Sequence, residues 1–174
     1  VNMQYEVGEI VVHPAHGTGE IVALEEQEVV EGYTKYCVIF FPENKLKIRI
    51  PMLRIEDVGL RDVMSSSTYS QILDTLAREP QQLPQDFKER REMLQEIVSS
   101  GYPVKVAKAI RELTWRSYSK PLNRSDAEML SEARHRLIQE MALATGQADK
   151  EINAVVDHAL KASDEEKKQF IADM

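Results

Sequence analysis

Lys47 and Arg49 have side chains suited to binding a charged partner. They alternate with Ile48 in a strand-like run, so their cations project from the same face. Arginine forms paired hydrogen bonds with carboxylates, and an edge strand can add its backbone to that of another chain. The same pattern is also typical of a charged edge strand that prevents aggregation. The periodicity alone leaves both interpretations open.

A second group surrounds an aromatic residue in the first turn of a predicted helix. Phe87 is followed by Lys88, Arg90 and Arg91, and the helical spacing places both arginines on the side of Phe87. An exposed aromatic ring can stack on an unpaired base while arginines hold phosphates. Alternatively, Phe87 is the first residue of an apolar core stripe that continues to Leu94, which is the commoner use of such spacing.

Groups suited to catalysis or metal binding are sparse. His13 and His16 flank a turn that contains proline, with no cysteine nearby to complete a zinc site. Cys37 lies inside an apolar run and is expected to be a small core residue. Gly17 to Gly19 lack the lysine and helix of a phosphate-binding loop. We therefore predict no enzyme, no metal, no cofactor and no small-molecule substrate.

Composition limits the class of protein. The chain has 174 residues, a formal charge of −7, 43% hydrophobic residues and one cysteine. This is enough apolar material for one domain or two small ones. No apolar run is long enough to span a bilayer, and the first residues lack the pattern of a secretory signal. The single cysteine has no partner for an internal disulfide, so we predict a cytoplasmic protein with no membrane association.

The charge is distributed unevenly along the chain. Residues 78–124 carry ten Lys or Arg against six carboxylates, a local charge of +4. Residues 1–60 have five bases against ten acids, and residues 125–174 have six against eleven, so each of these segments carries −5. An acidic chain is repelled by the phosphates that dominate non-specific affinity for nucleic acid. Any contact with DNA is therefore expected to be local and to need a second anchor.

The hydrophobic pattern changes near Gly59. Before it, short β-branched and aromatic runs alternate with turns at a spacing near ten residues, which indicates a small antiparallel barrel or curled sheet. After it, the period is that of helices. One predicted helix follows Ser65, another starts near Pro84, and a capping-box pattern begins at Ser125. The last two are predicted around 151–161 and 164–172.

The sequence thus predicts an α+β protein of two domains, with residues 1–60 forming the β-barrel and residues 61–174 a compact all-α domain of five to six helices. Five segments carry a more specific signal: Tyr5-Glu6-Val7-Gly8-Glu9-Ile10-Val11-Val12-His13-Pro14-Ala15-His16-Gly17, Lys47-Ile48-Arg49-Ile50-Pro51, Val58-Gly59-Leu60-Arg61, Ala107-Lys108-Ala109-Ile110-Arg111-Glu112-Leu113 and Met129-Leu130-Ser131-Glu132-Ala133-Arg134. In order and spacing, these segments resemble the CarD/CdnL family of bacterial RNA polymerase-binding transcription regulators over about residues 4–160. The first segment alone is also similar to transcription-repair coupling factors.

The resemblance implies that the N-terminal domain is a Tudor-like β domain that binds the β subunit of RNA polymerase. Arg49 occupies the position of the family's contact arginine, and Lys47 is its neighbour. Gln27, Ile48 and Pro51 complete the implied polymerase-binding set. The protein is then expected to accompany RNA polymerase on the nucleoid.

The resemblance also implies that the helical domain contacts promoter DNA at the upstream edge of the melted bubble. There, a family tryptophan wedges into the minor groove, and its position is held by Phe87 in this chain. Arg90, Arg91, Lys88 and Arg134 match the basic residues that hold the DNA backbone. Phenylalanine keeps a stacking face but lacks the indole N–H donor and some contact area. In addition, Glu89, Glu92 and Glu132 stand where relatives often carry bases.

Two functions from different classes follow. In the first, the protein is a monomeric, non-enzymatic regulator that binds polymerase through its β domain and stabilises the open complex with Phe87 and nearby cations. In the second, it is an adaptor that binds polymerase and recruits another protein through its acidic helical domain without contacting DNA. Phe87 is expected to be exposed in the first case.

Overall fold

The computed structural model describes residues 5–161 of the chain, which fall into two units that divide between Val63 and Met64. The first unit is an open five-stranded antiparallel sheet, and the described part of the second contains five α-helices. The predicted α+β class is therefore confirmed. The helix predicted over 164–172 lies outside the described residues.

The sheet extends slightly beyond residue 60 because a short fifth strand pairs with the first. Its strands have the order β4-β3-β2-β1-β5, with β4 and β5 at the two edges. Their bounds are Ile10–His13 (β1), Gly17–Val30 (β2), Tyr33–Phe41 (β3), Leu46–Pro51 (β4) and Arg61–Asp62 (β5).

One face of the sheet forms the core of this unit. Cys37, Ile39 and Phe41 alternate along β3 and are fully buried. Their partners in β4 are Ile50, Ile48 and Leu46, so the same alternation continues onto the edge strand. Gly19 of β2 lies so close to this layer that an added Cβ would be 2.7 Å from Ile39 Cγ2. Only glycine fits there without displacing the core.

The helical unit is built around its third helix. The helices are Ser66–Ala77 (α1), Phe87–Ser99 (α2), Pro103–Ser119 (α3), Arg124–Thr145 (α4) and Asp149–Lys161 (α5). One core cluster joins α1, α3, α4 and α5, and a smaller one packs Leu94 of α2 against Leu113 of α3. Because α3 contributes to both clusters, it is buried on more than one side.

The ends of α1 and α4 agree with their sequence signals. Ser65 caps α1, and its hydroxyl oxygen accepts a hydrogen bond from the backbone N–H of Thr68 at 3.2 Å. Gly146 ends α4 in the left-handed conformation, with a φ of 71°.

The start of α2 differs from the prediction near Pro84. Asp86 is the N-cap, and its carboxylate accepts a hydrogen bond from the N–H of Glu89 at 2.9 Å. The first helical residue is therefore Phe87. Pro84 lies in the preceding loop, where its carbonyl oxygen accepts a hydrogen bond from Arg90.

The predicted capping box at Ser125 is wrong. Asn123 caps α4 instead, because its side-chain oxygen accepts a hydrogen bond from the N–H of Asp126 at 2.8 Å. Ser125 is already helical. This register turns Asp126 into the interior of the unit, where its side chain is 1% exposed.

Candidate functional site

Phe87 lies at the surface of the helical unit, in the first turn of α2. Its side chain is 46% exposed, whereas Leu94 is fully buried. The apolar stripe of α2 thus enters the core after Phe87. A large aromatic ring at a helix start, left open to solvent, is available for stacking on a partner.

Arg90 lies beneath Phe87 and is almost completely buried. Its guanidinium carbon is 5.9 Å from the centre of the Phe87 ring, which is within cation–π range. Its Nε donates a hydrogen bond to Asp126 Oδ2 at 2.9 Å, and its Nη1 donates to the carbonyl oxygens of Pro84 and Gln85 at 2.9 and 3.0 Å. Arg90 therefore ties the loop before α2 to the start of α4 and supports the ring.

A second arginine, Arg116, interacts with the buried carboxylate of Asp126. Burial lowers the pKa of Arg116, the positive charge of Arg90 lowers it further, and the carboxylate of Asp126 opposes both effects. Asp126 Oδ2 also accepts a hydrogen bond from Asn123 at 3.0 Å. Arg116 Nη1 and Asp126 Oδ1 are buried without a hydrogen-bond partner in the described part of the chain. Two arginine charges against one carboxylate leave a positive charge beneath the surface that carries Phe87.

Exposed cations flank the aromatic ring. Lys88 and Arg91 are exposed and form no hydrogen bond or ion pair with any residue in the range 5–161. Two further residues had not been predicted from the sequence. Lys120 follows α3, and its ammonium donates a hydrogen bond to Gln85 Oε1 at 2.9 Å. Tyr118 is 56% exposed. Tyr118 lies three residues after the single tryptophan of the chain. This helical spacing could have indicated that the two side chains lie on the same face of α3.

Trp115 is 5% exposed, and its ring packs edge-on against that of Tyr118, with 5.1 Å between the centroids. A buried tryptophan thus supports an exposed tyrosine at the end of α3.

Arg134 is not brought together with the other predicted DNA-binding residues. Its Nη2 donates to Asp157 Oδ1 at 2.6 Å and to Asn153 Oδ1 at 2.9 Å, which joins α4 to α5. It lies eight residues after Asp126 along α4, or about 12 Å at 1.5 Å per residue.

In the β unit, Lys47 and Arg49 are exposed on the face of β4 that is opposite to the core. Arg49 Nε lies 2.8 Å from Glu25 Oε2, which sequence analysis missed. The hydrogen bond that Arg49 Nε donates to Glu25 and the negative charge of this carboxylate raise the pKa of Arg49 above its ordinary value. Because both side chains are solvent-accessible, the pair orients the guanidinium and contributes little stability.

The remaining predicted polymerase contacts lie in different positions. Pro51 is half-buried and lies on the same face as Arg49, two residues further along β4, whereas Ile48 faces the core. Gln27 is exposed in β2, where the pairing with β3 is irregular. The structure therefore places Lys47, Arg49 and Pro51 on one face of an edge strand.

The contacts of the two turn histidines and the burial of Cys37 fit a structural role. His13 Nδ1 accepts a hydrogen bond from the N–H of Ala15 at 3.0 Å, and the ring of His16 lies 5.4 Å from that of Phe41. Burial, followed by the charge of Glu9, raises the pKa of the Cys37 thiol to about 11. Within residues 5–161, no three acidic, histidine or cysteine side chains are grouped to hold a metal ion.

Across the same range, none of the helices combines the length and apolar character needed to cross a bilayer.

An antiparallel sheet with a basic edge strand, followed by a helical unit that presents an aromatic ring, defines a binding protein of two units. Residues 5–64 match the family model of the CarD-like/TRCF RID domain, and residues 71–157 match that of the CarD C-terminal domain. The chain belongs to the CarD family of transcription regulators, which interact with RNA polymerase and are not enzymes in general. The family resemblance recognised in the sequence is confirmed.

The chain is also similar to a protein of Bacillus subtilis (strain 168) named "Putative transcription factor YdeB". The two are 27% identical over 150 residues, which cover 86% of this chain and 98% of the relative.

Proposed function

We propose that the protein binds the β subunit of RNA polymerase through β4 and stabilises the promoter open complex by placing Phe87 at the upstream edge of the melted bubble. The observation that carries this proposal is the 46% exposure of Phe87 above a buried arginine support. The protein acts as a non-enzymatic monomer in the cytoplasm, on the nucleoid with polymerase.

The polymerase contact uses the outward face and free edge of β4. Glu25 orients the exposed side chain of Arg49, so that it can meet a partner carboxylate or backbone carbonyl with a smaller loss of side-chain freedom. Lys47 and Pro51 flank it on the same face, and Gln27 lies in the neighbouring β2. Ile48 contributes from the core side by fixing the strand. Among the strands that the structure describes, β4 pairs only with β3, so its other edge is available for strand addition.

The DNA contact combines stacking with phosphate binding. Phe87 stacks on a base at the junction between duplex and single strands, while Lys88 and Arg91, which have no partner among residues 5–161, contact phosphates. Arg90 acts as a positioning residue, because its guanidinium is already bonded to Asp126 and to the loop before α2. Arg134 holds α4 to α5 and is not among the phosphate contacts.

The two contacts depend on each other energetically. A chain of charge −7 with a small basic surface has little affinity for free DNA. Binding to polymerase raises the effective concentration of the helical unit at the promoter. Phe87 then shifts the equilibrium because it interacts with the unstacked bases of the open state and has no equivalent partner in closed DNA.

The proposed DNA contact predicts a change in salt dependence. Replacing Lys88 and Arg91 together with glutamine removes two phosphate contacts, so the log–log salt slope for binding to polymerase on forked promoter DNA falls by about two. The slope is measured by titrating salt in a fluorescence binding assay.

The matched control replaces Lys150 and Lys161 with glutamine, which removes the same charge from exposed positions of α5 and leaves the slope unchanged. If the Lys88 and Arg91 variant keeps the wild-type slope, these residues do not contact phosphates, and the result favours the adaptor, in which the acidic helical unit recruits another protein without contacting DNA.

A further inference from the structure

A second basic site lies between α1 and α3, apart from the residues used above. It is a cavity of about 310 Å³, lined by four cationic side chains, those of Arg78, Lys105, Lys108 and Arg111, and by Glu79. This volume is at the lower end of the range for small-molecule sites, about 300–1,000 Å³.

One wall of the cavity is rigid. Arg111 is 4% exposed; its Nη1 donates to the carbonyl oxygen of Thr75 at 2.9 Å, and its Nη2 donates to Glu112 Oε1 at 2.6 Å. The other carboxylate oxygen of Glu112 accepts a hydrogen bond from the N–H of Gln81 at 2.7 Å. These bonds hold the segment after α1 against α3. Arg111 Nε is buried with no hydrogen-bond partner among residues 5–161, so this side chain retains unused donor capacity.

The charge of the cavity is not balanced from within. Glu112 compensates Arg111, but Arg78, Lys105 and Lys108 form no ion pair with any residue that the structure describes. Of the lining residues within 5–161, Glu79 alone carries a carboxylate. Most other arginines of the described units are paired, as Arg49, Arg124 and Arg136 are. Four cations against the carboxylates of Glu79 and Glu112 leave a net charge of +2 at one concavity, which favours a ligand with several negative charges.

We propose that this cavity binds a small phosphorylated molecule through a diphosphate or longer polyphosphate group. Lys105 and Lys108 lie one turn apart on the same face of α3, so both ammonium groups reach one anionic ligand, with Arg78 opposite. Tyr102, 60% exposed with the Lys105 ammonium 5.1 Å from its ring centre, offers an adjacent stacking surface. Because Arg111 is recessed, a ligand must enter the cavity to approach it, which favours a small molecule over duplex DNA.

The test is a titration of the full chain with inorganic pyrophosphate, followed by ¹H–¹⁵N NMR. We expect saturable shifts of the amides in 75–81 and 104–111. The Lys105→Gln/Lys108→Gln variant, changed only at exposed helical positions, is expected to bind at least about tenfold more weakly, because hydrogen bonds to charged groups are lost. The matched Lys150→Gln/Lys161→Gln variant, which loses the same charge from exposed positions of α5, is expected to bind as the wild type does.

Two results overturn the proposal. Shifts that do not saturate, or that weaken equally in both variants, show general screening of surface charge. Shifts of the same amides by a short DNA duplex, in the absence of any by pyrophosphate, assign the cavity to nucleic acid. A second titration with a nucleoside triphosphate shows whether the ligand is a nucleotide. Tighter binding than that of pyrophosphate supports a nucleotide, and equal binding supports recognition of the phosphates alone.

Discussion

Replacing Phe87 with alanine shortens the lifetime of the promoter open complex by roughly tenfold, since stacking of an aromatic side chain on a base contributes about 1–3 kcal/mol. Affinity for RNA polymerase without DNA stays the same, because Phe87 belongs to the helical unit and the proposed polymerase contacts belong to the sheet. The lifetime is measured as the decay of complexes after addition of a competitor for free polymerase.

The chain offers a conservative variant at the same position. Phe87→Trp restores the larger ring and the N–H donor that the family resemblance implies, so its open complex is expected to live at least as long as that of the wild type. An alanine variant that preserves the lifetime would show that the exposed ring does not contact the melted DNA.

Replacing Asp126 with alanine destabilises the helical unit by about 3–5 kcal/mol, the usual cost of removing one partner from a buried ion pair. The side chains of Arg90 and Asp126 are 4% and 1% exposed, so the arginine left behind has no access to water. Arg116 loses the same carboxylate, which adds to the loss. Unfolding in urea is followed by the fluorescence of Trp115, the single tryptophan of the chain.

The control for this variant is Glu128→Ala, two residues further along α4 at an exposed position. Glu128 pairs with Arg124, but both side chains are largely exposed, so the loss is expected to stay below about 1 kcal/mol. Equal stabilities of the two alanine variants would contradict the supporting role of the Arg90–Asp126 pair.

The sequence predicted those parts of the β unit that depend on neighbours along the chain. Strict alternation in β4 placed Lys47 and Arg49 on one face, because successive side chains in a strand point to opposite sides. It did not predict the pairing of Arg49 with Glu25. These residues are 24 positions apart and meet across β3, and the register that joins them is set by the fold.

In the helical unit, too, the sequence did not predict features that depend on residues far apart in the chain. Periodicity left the exposure of Phe87 open, because a first-turn aromatic can face either the core or solvent. The burial of Arg90 had no local signal, since its partner Asp126 is 36 residues away. Asn123 and Ser125 are both good N-cap residues, and the choice between them depends on where Asp126 must point to reach Arg90.

The proposal assigns polymerase binding to β4 and stabilisation of the open bubble to Phe87. The lifetime of the open complex as a function of protein concentration tests this assignment most directly. An Arg49→Glu variant weakens the tether, so we expect it to raise the half-saturating concentration by about tenfold or more while reaching the wild-type lifetime at saturation. Phe87→Ala is expected to lower the lifetime at saturation without changing the half-saturating concentration. If both variants shift only the half-saturating concentration, Phe87 contributes to polymerase binding and not to holding the bubble open.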